Sequence, residues 1–98
     1  MYASVTSAKL LPGKLDEFLA TYQKSVIPIA KEVPGLEHLY ILTDANSNKG
    51  MSVALYETKA DAERTQASGD YQKAIGLLMS TMDMGTLQRE EYEVNIDV

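Results

Sequence analysis

The spacing of apolar positions divides the chain into strands and helices. Tyr2-Ala3-Ser4-Val5-Thr6-Ser7-Ala8 is rich in small and β-branched residues, lacks helical spacing and stops at Leu10-Leu11-Pro12-Gly13. This predicts a first strand followed by a turn. Between Lys14 and Lys31, Leu15, Phe18, Leu19, Tyr22, Val26 and Ile29 recur at i, i+3, i+4 and i+7, which places one apolar stripe along one side of a long helix. Pro28 falls inside that stripe. It removes a backbone donor and its ring collides with the carbonyl four residues earlier, so the helix is expected to bend or loosen there. Val33-Pro34-Gly35 then ends it.

Leu36 to Thr43 and Met51 to Tyr56 read as strands two and three, joined into a hairpin through the turn formers from Asp44 to Gly50. Glu57 to Ala67 predicts a charged helix broken at Ser68-Gly69, with helical spacing resumed by Tyr71, Ala74, Ile75, Leu78, Met79 and Met82. Leu87 to Val98 predicts a fourth strand, with Glu91-Tyr92-Glu93-Val94 alternating. The resulting order, βαββαβ, is the split βαβ arrangement of the α+β class: a ferredoxin-like fold with an antiparallel four-stranded sheet and both helices on one face. No repeat or linker divides the chain, so residues 1–98 are expected to form a single domain.

The other sheet face needs a different cover. On strand two, Leu39 and Ile41 oppose Leu36, His38, Tyr40 and Leu42; on strand three, Met51, Val53 and Leu55 oppose Ala54 and Tyr56. Both faces are apolar, and two helices shield only one. The economical cover is the same face of a second copy, which predicts a homodimer whose sheets stack into a dimeric α+β barrel.

Composition narrows the partners. With 45% hydrophobic and 23% charged residues, the chain has the makings of an ordinary core. It contains no cysteine, which removes disulfides, thiolate metal sites and cysteine nucleophiles and leaves the reducing cytoplasm as the default location. Acidic groups outnumber basic ones 14 to 9, for a net charge of -5; that balance disfavours nucleic acid and anionic membranes. No apolar run is long enough for a spanning helix or a signal peptide.

His38 is the sole histidine, so schemes that need two imidazoles are unavailable and no metal site is expected. Two roles stay open for it: a packed, hydrogen-bonded strand residue, or an acid–base group turned into a cavity. Asp44, Asp61 and Glu63 read as turn and solvated-helix residues. Glycine spacing matches no phosphate-binding loop, and no GxSxG is present. Nucleotide binding and triad hydrolysis therefore have no support. Tyr22, Tyr40, Tyr56 and Tyr71 lie in segments expected to pack, and the alternate row Tyr2, Ser4, Thr6 and Ala8 would set hydroxyls beneath an apolar roof. Such a mixture suits a small organic ligand.

Several segments carry a resemblance: Leu10-Leu11-Pro12-Gly13-Lys14, Glu32-Val33-Pro34-Gly35-Leu36, Ser52-Val53-Ala54-Leu55-Tyr56-Glu57-Thr58 with Ala60-Asp61-Ala62-Glu63, and Tyr92-Glu93-Val94. Across nearly the whole length these resemble the antibiotic biosynthesis monooxygenase family of dimeric α+β barrels. The resemblance implies either of two activities: oxidation of phenols or quinols by dioxygen without a cofactor, or haem degradation. The haem-degrading pattern is absent, because Thr6, Thr65 and Ile75 stand where that branch carries asparagine, tryptophan and the axial histidine. The tryptophan and histidine near the second helix of the phenol oxidases are also missing; Tyr56 takes the place of the strand-three aromatic, and Asp70 precedes Tyr71. The implied function is a cofactor-independent monooxygenase of a small aromatic or phenolic compound, with Thr6, Tyr22, Tyr56 and Tyr71 contacting the ligand and His38 as base. The alternative is a non-catalytic ligand-binding or structural dimer on the same scaffold.

Overall fold

A computed structural model describes all residues from Met1 to Val98. Strand β1 (Tyr2–Lys9) leads to helix α1 (Leu15–Thr21), a π-helical turn (Tyr22–Val26) and helix α2 (Ile27–Ala30). Strands β2 (Leu36–Asp44) and β3 (Lys49–Tyr56) form the hairpin, followed by α3 (Lys59–Ser68), α4 (Asp70–Leu78), two short 3-10 turns and β4 (Gln88–Glu93). The four strands are antiparallel in the order β2-β3-β1-β4, the ferredoxin-like arrangement expected from the sequence. Helix α3 stops where Gly69 adopts a left-handed conformation at φ 89, and α4 starts directly after it. Its neighbours on both sides would be strained in that conformation.

Pro28 acts one turn earlier than its own position. Lacking an N–H and crowding the carbonyl of Lys24, it leaves the preceding turn without a regular partner, and residues 22–26 widen into π geometry. Tyr22 and Val26, both buried, are carried on that widened turn. The fourth strand is shorter than expected, ending at Glu93 rather than Val98. Its only neighbour is β1, and Tyr2 pairs with Glu93 at the last rung. Beyond Val94, whose N–H donates to the Met1 carbonyl, no strand is left to pair with.

The packed core gathers Ala8, Leu10, Phe18, Tyr22, Val26, Leu78 and Met82. These come from the end of β1 and the residue after it, from α1 and the π-helical turn, and from the end of α4 and the turn that follows; Ala3, Tyr56 and Ala62 are buried outside this cluster. No helix is long and apolar enough to cross a membrane.

One irregularity decides which way β2 points. Leu36 pairs with Tyr56 but His38 pairs with Leu55, so β2 carries an extra residue at a bulge. The bulge separates Leu36 from His38, contrary to the simple alternation that put them on one face. Leu36 joins Leu39 and Ile41 under the helices, whereas His38, Tyr40 and Leu42 lie on the helix-free face. There they share rows with Leu55, Val53 and Met51. Tyr40 and Leu42 are half exposed, at 50% and 49%.

Candidate active site

Away from the core the layer does not close. The rows Thr6–Ser52 and Ser4–Ala54 run side by side across β1 and β3, and side chains that short cannot reach the helices above. A cavity of about 90 Å3 remains. Leu36, Leu39 and Tyr56 complete its floor, and Tyr22, Val26, Ile29, Thr65, Asp70, Tyr71 and Ile75 are among the residues of its roof and walls. The lining is mostly apolar with a few convergent polar groups, as small-molecule sites generally are.

Tyr22 defines the deep end, because it also belongs to the core and meets Phe18 edge-on at 5.1 Å. It is 8% exposed. Burial pushes its phenol above the ordinary tyrosine range, the Ser52 hydroxyl pulls the other way, and Tyr71 adds to the rise. The group therefore stays a neutral hydrogen-bond donor at physiological pH. Tyr71 is held from behind by Arg89, whose guanidinium lies 4.8 Å from the ring centroid. Arg89 stands beside Thr6 in the sheet. It donates to Gln66 Oε1 at 2.9 Å and pairs with Glu91, while its Nε is buried without a partner.

The mouth lies on the side of Thr65 and Asp70. Thr65 and Asp70 line both the cavity and an adjoining surface recess that also includes Pro34, Arg64 and Ser68. Its frame is a capping box: Asp61 accepts from the Thr58 N–H and hydroxyl at 3.2 and 2.8 Å, and its own N–H donates to Thr58 Oγ1 at 3.2 Å. Asp61 is thus a buried structural residue, 7% exposed, and not the solvated helix group expected from the sequence. Its carboxylate packs on Gly35, whose φ of +79 and missing side chain allow the approach. The contact holds the segment leading into β2 against the helix that supplies Thr65.

Thr6, Tyr22, Tyr56 and Tyr71 therefore meet in one cavity. His38 does not join them. It is exposed on the opposite side of the sheet and stacks on Tyr40 at a centroid distance of 6.0 Å, so the role of base toward a ligand in the cavity does not fit its position. The bulge in β2, invisible to strict alternation, is the reason. Ser52 and Asp70 also line the cavity, beyond the site residues expected from the sequence. For Asp70 a signal was present: positions 70, 71, 74 and 75 share one helical face, so the acid lies on the apolar side of α4. The structure contains no cluster of three or more His, Asp or Glu side chains suited to a metal ion.

The sequence model of the antibiotic biosynthesis monooxygenase family matches residues 1–77. No curated protein matches the chain in sequence. Among solved structures, a proposed antibiotic biosynthesis monooxygenase from Nitrosomonas europaea superposes with a TM-score of 0.77 at 18% identity, covering 98% of this chain and 100% of that one. A similarly described protein from Bordetella bronchiseptica gives 0.76 at 16% identity, covering 97% of both chains. SnoaB, a cofactor-independent oxygenase from Streptomyces nogalater, gives 0.78 at 13% identity over 99% of this chain and 95% of its own. At these identities the structural likeness speaks for the fold.

Proposed function

The chain belongs to the antibiotic biosynthesis monooxygenase family, and from that membership and the cavity we propose that it is a cofactor-independent monooxygenase of a small phenolic compound. The observation that carries this reading is the convergence of Thr6, Tyr22, Tyr56 and Tyr71 on one apolar space in the interior. In this reaction the ionised phenol is the reductant. It passes electrons to dioxygen, a ring carbon bonds to one oxygen atom, and the other leaves as water, so that phenol and dioxygen become quinone and water. The protein's share is to exclude bulk water and to hold donors where negative charge collects, which Tyr22 as a neutral phenol does. Size limits the ligand: about 90 Å3 is less than the roughly 150 Å3 of an apolar cavity that accepts benzene, so a single ring already reaches into the mouth and larger ring systems would extend well beyond it.

The same proposal includes a homodimer. Tyr40, Val53 and Leu55 of the helix-free face stand without an intramolecular cover, and a second copy of that face supplies one.

Oxygen uptake and quinone formation with a panel of single-ring phenols test the activity, using wild type and Ala54→Leu, which fills the cavity floor. Wild type is expected to consume one dioxygen per quinone formed, and Ala54→Leu to lose this while remaining folded. Binding without oxygen consumption would favour a non-catalytic ligand carrier on the same scaffold. Absence of both binding and uptake would refute the proposal.

A further inference from the structure

We propose that Asp70 accepts the hydroxyl hydrogen of the ligand in this cavity and takes the proton when the ligand ionises. For turnover this rests on the oxygenase reading above; for binding it stands independently.

Among the residues that line the cavity, Asp70 is the only one with a charged side chain; the other polar ones are alcohols and phenols. Its carboxylate forms no hydrogen bond or ion pair in the protein. Its backbone N–H makes the local contact, donating to Ser68 Oγ at 3.3 Å, and the salt bridges engage Glu17, Asp61 and Glu91 instead. Both acceptor oxygens are therefore free for a ligand. Arg64 shares the surface recess at the mouth but pairs with Asp61. Tyr22, Tyr56 and Tyr71 are the other ionisable groups lining the cavity.

The lining offers a ligand two opposite kinds of partner. Asp70, where the cavity adjoins the surface recess, only accepts, whereas neutral Tyr22, with Ser52 and Thr6 nearby, can donate. A ligand matched to both carries a hydroxyl at one end of a single ring and, across the ring, a carbonyl oxygen conjugated to it. The proton step is balanced: the ligand O–H bond breaks, a carboxyl O–H bond forms on Asp70, and the electron pair stays on the ligand. An ordinary phenol is a far weaker acid than an ordinary carboxylic acid, by about six pKa units. Conjugation narrows that gap, because the charge released beside Asp70 is shared with the far oxygen, where donors wait.

The test is spectroscopic binding of 4-hydroxyacetophenone, whose neutral and ionised forms absorb differently, over a pH series spanning its ionisation, with oxygen uptake followed in parallel. Wild type is expected to bind the neutral form at least tenfold more tightly than the anion. Asp70→Asn is expected to lose that preference, because its amide donates as well as accepts, and Asp70→Glu to keep it. If Asp70→Asn discriminates as wild type does, Asp70 is not the acceptor, whether or not oxygen is consumed. If the preference behaves as expected but wild type consumes no oxygen with this or any other phenol, the oxygenase reading fails and the Asp70 contact stands. A wild type that binds neither form overturns the Asp70 contact outright.

Discussion

Gly35→Ala probes the joint that frames the mouth of the cavity. A Cβ built on Gly35 would lie 2.2 Å from Asp61 Cγ, 2.5 Å from its Oδ2 and 2.7 Å from its Cβ, so Asp61 must leave its place. Two costs arise. An L side chain at φ +79 costs about 1 kcal/mol. Displacing Asp61 sacrifices the two bonds it accepts from Thr58, about 2 kcal/mol for a cap and a part-buried hydrogen bond. The exposed Arg64 partner, with 63% of its side chain open to solvent, adds little. Gly35→Ala should thus lose about 3 kcal/mol, a large share of the roughly 5–15 kcal/mol of an ordinary domain. Asp61→Gly should also lose about 3 kcal/mol, the same cap plus about 1 for glycine in a helix. The double variant, with the clash gone and the cap lost only once, should lose about 4 rather than the 6 of independent effects. Urea unfolding with unchanged m-values measures this coupling of about 2 kcal/mol. Additivity within about 0.5 kcal/mol would refute the contact between Gly35 and Asp61 as the reason for glycine here.

Tyr22 should make the fold sensitive to alkali. Its phenol is raised in the folded protein, so the unfolded chain ionises first, near pH 10; stability held below that point declines as pH climbs toward the folded value. Unfolding of wild type and Tyr22→Phe between pH 7 and 11 should show a shallower alkaline loss in the variant, and parallel curves would contradict the assignment. On the helix-free face, Val53→Asp should shift sedimentation from dimer to a 10.8 kDa monomer by placing an unpaired charge in the proposed interface. His38→Gln should weaken the dimer by about 1–3 kcal/mol if it removes a buried partner, and leave ligand binding in the cavity unchanged. A loss of binding with the dimer intact would return His38 to the site.

The order and type of the elements were legible in the sequence because each rests on local causes: apolar periodicity for the helices, turn chemistry from Asp44 to Gly50 for the hairpin, and Gly69 for the break between α3 and α4. Pro28 likewise announced a disturbed helix, since one missing donor and one crowded carbonyl are properties of the chain itself. Tyr22, Tyr71 and Thr6 were traceable to a common interior through the faces of their own elements. What lay beyond local pattern depended on pairing between distant segments. The bulge after Leu36 exists only in register with β3, and one extra residue was enough to turn His38 away from the cavity. The end of β4 was set by where β1 runs out of partners. The burial of Asp61 required Gly35, 26 positions away, to come within reach of its carboxylate. Asp70 gained its meaning in the same way: its helical face could be read from spacing, but its place at the rim of a cavity depended on Ser4, Thr6, Ser52 and Ala54 meeting as a floor too low to fill the space above them.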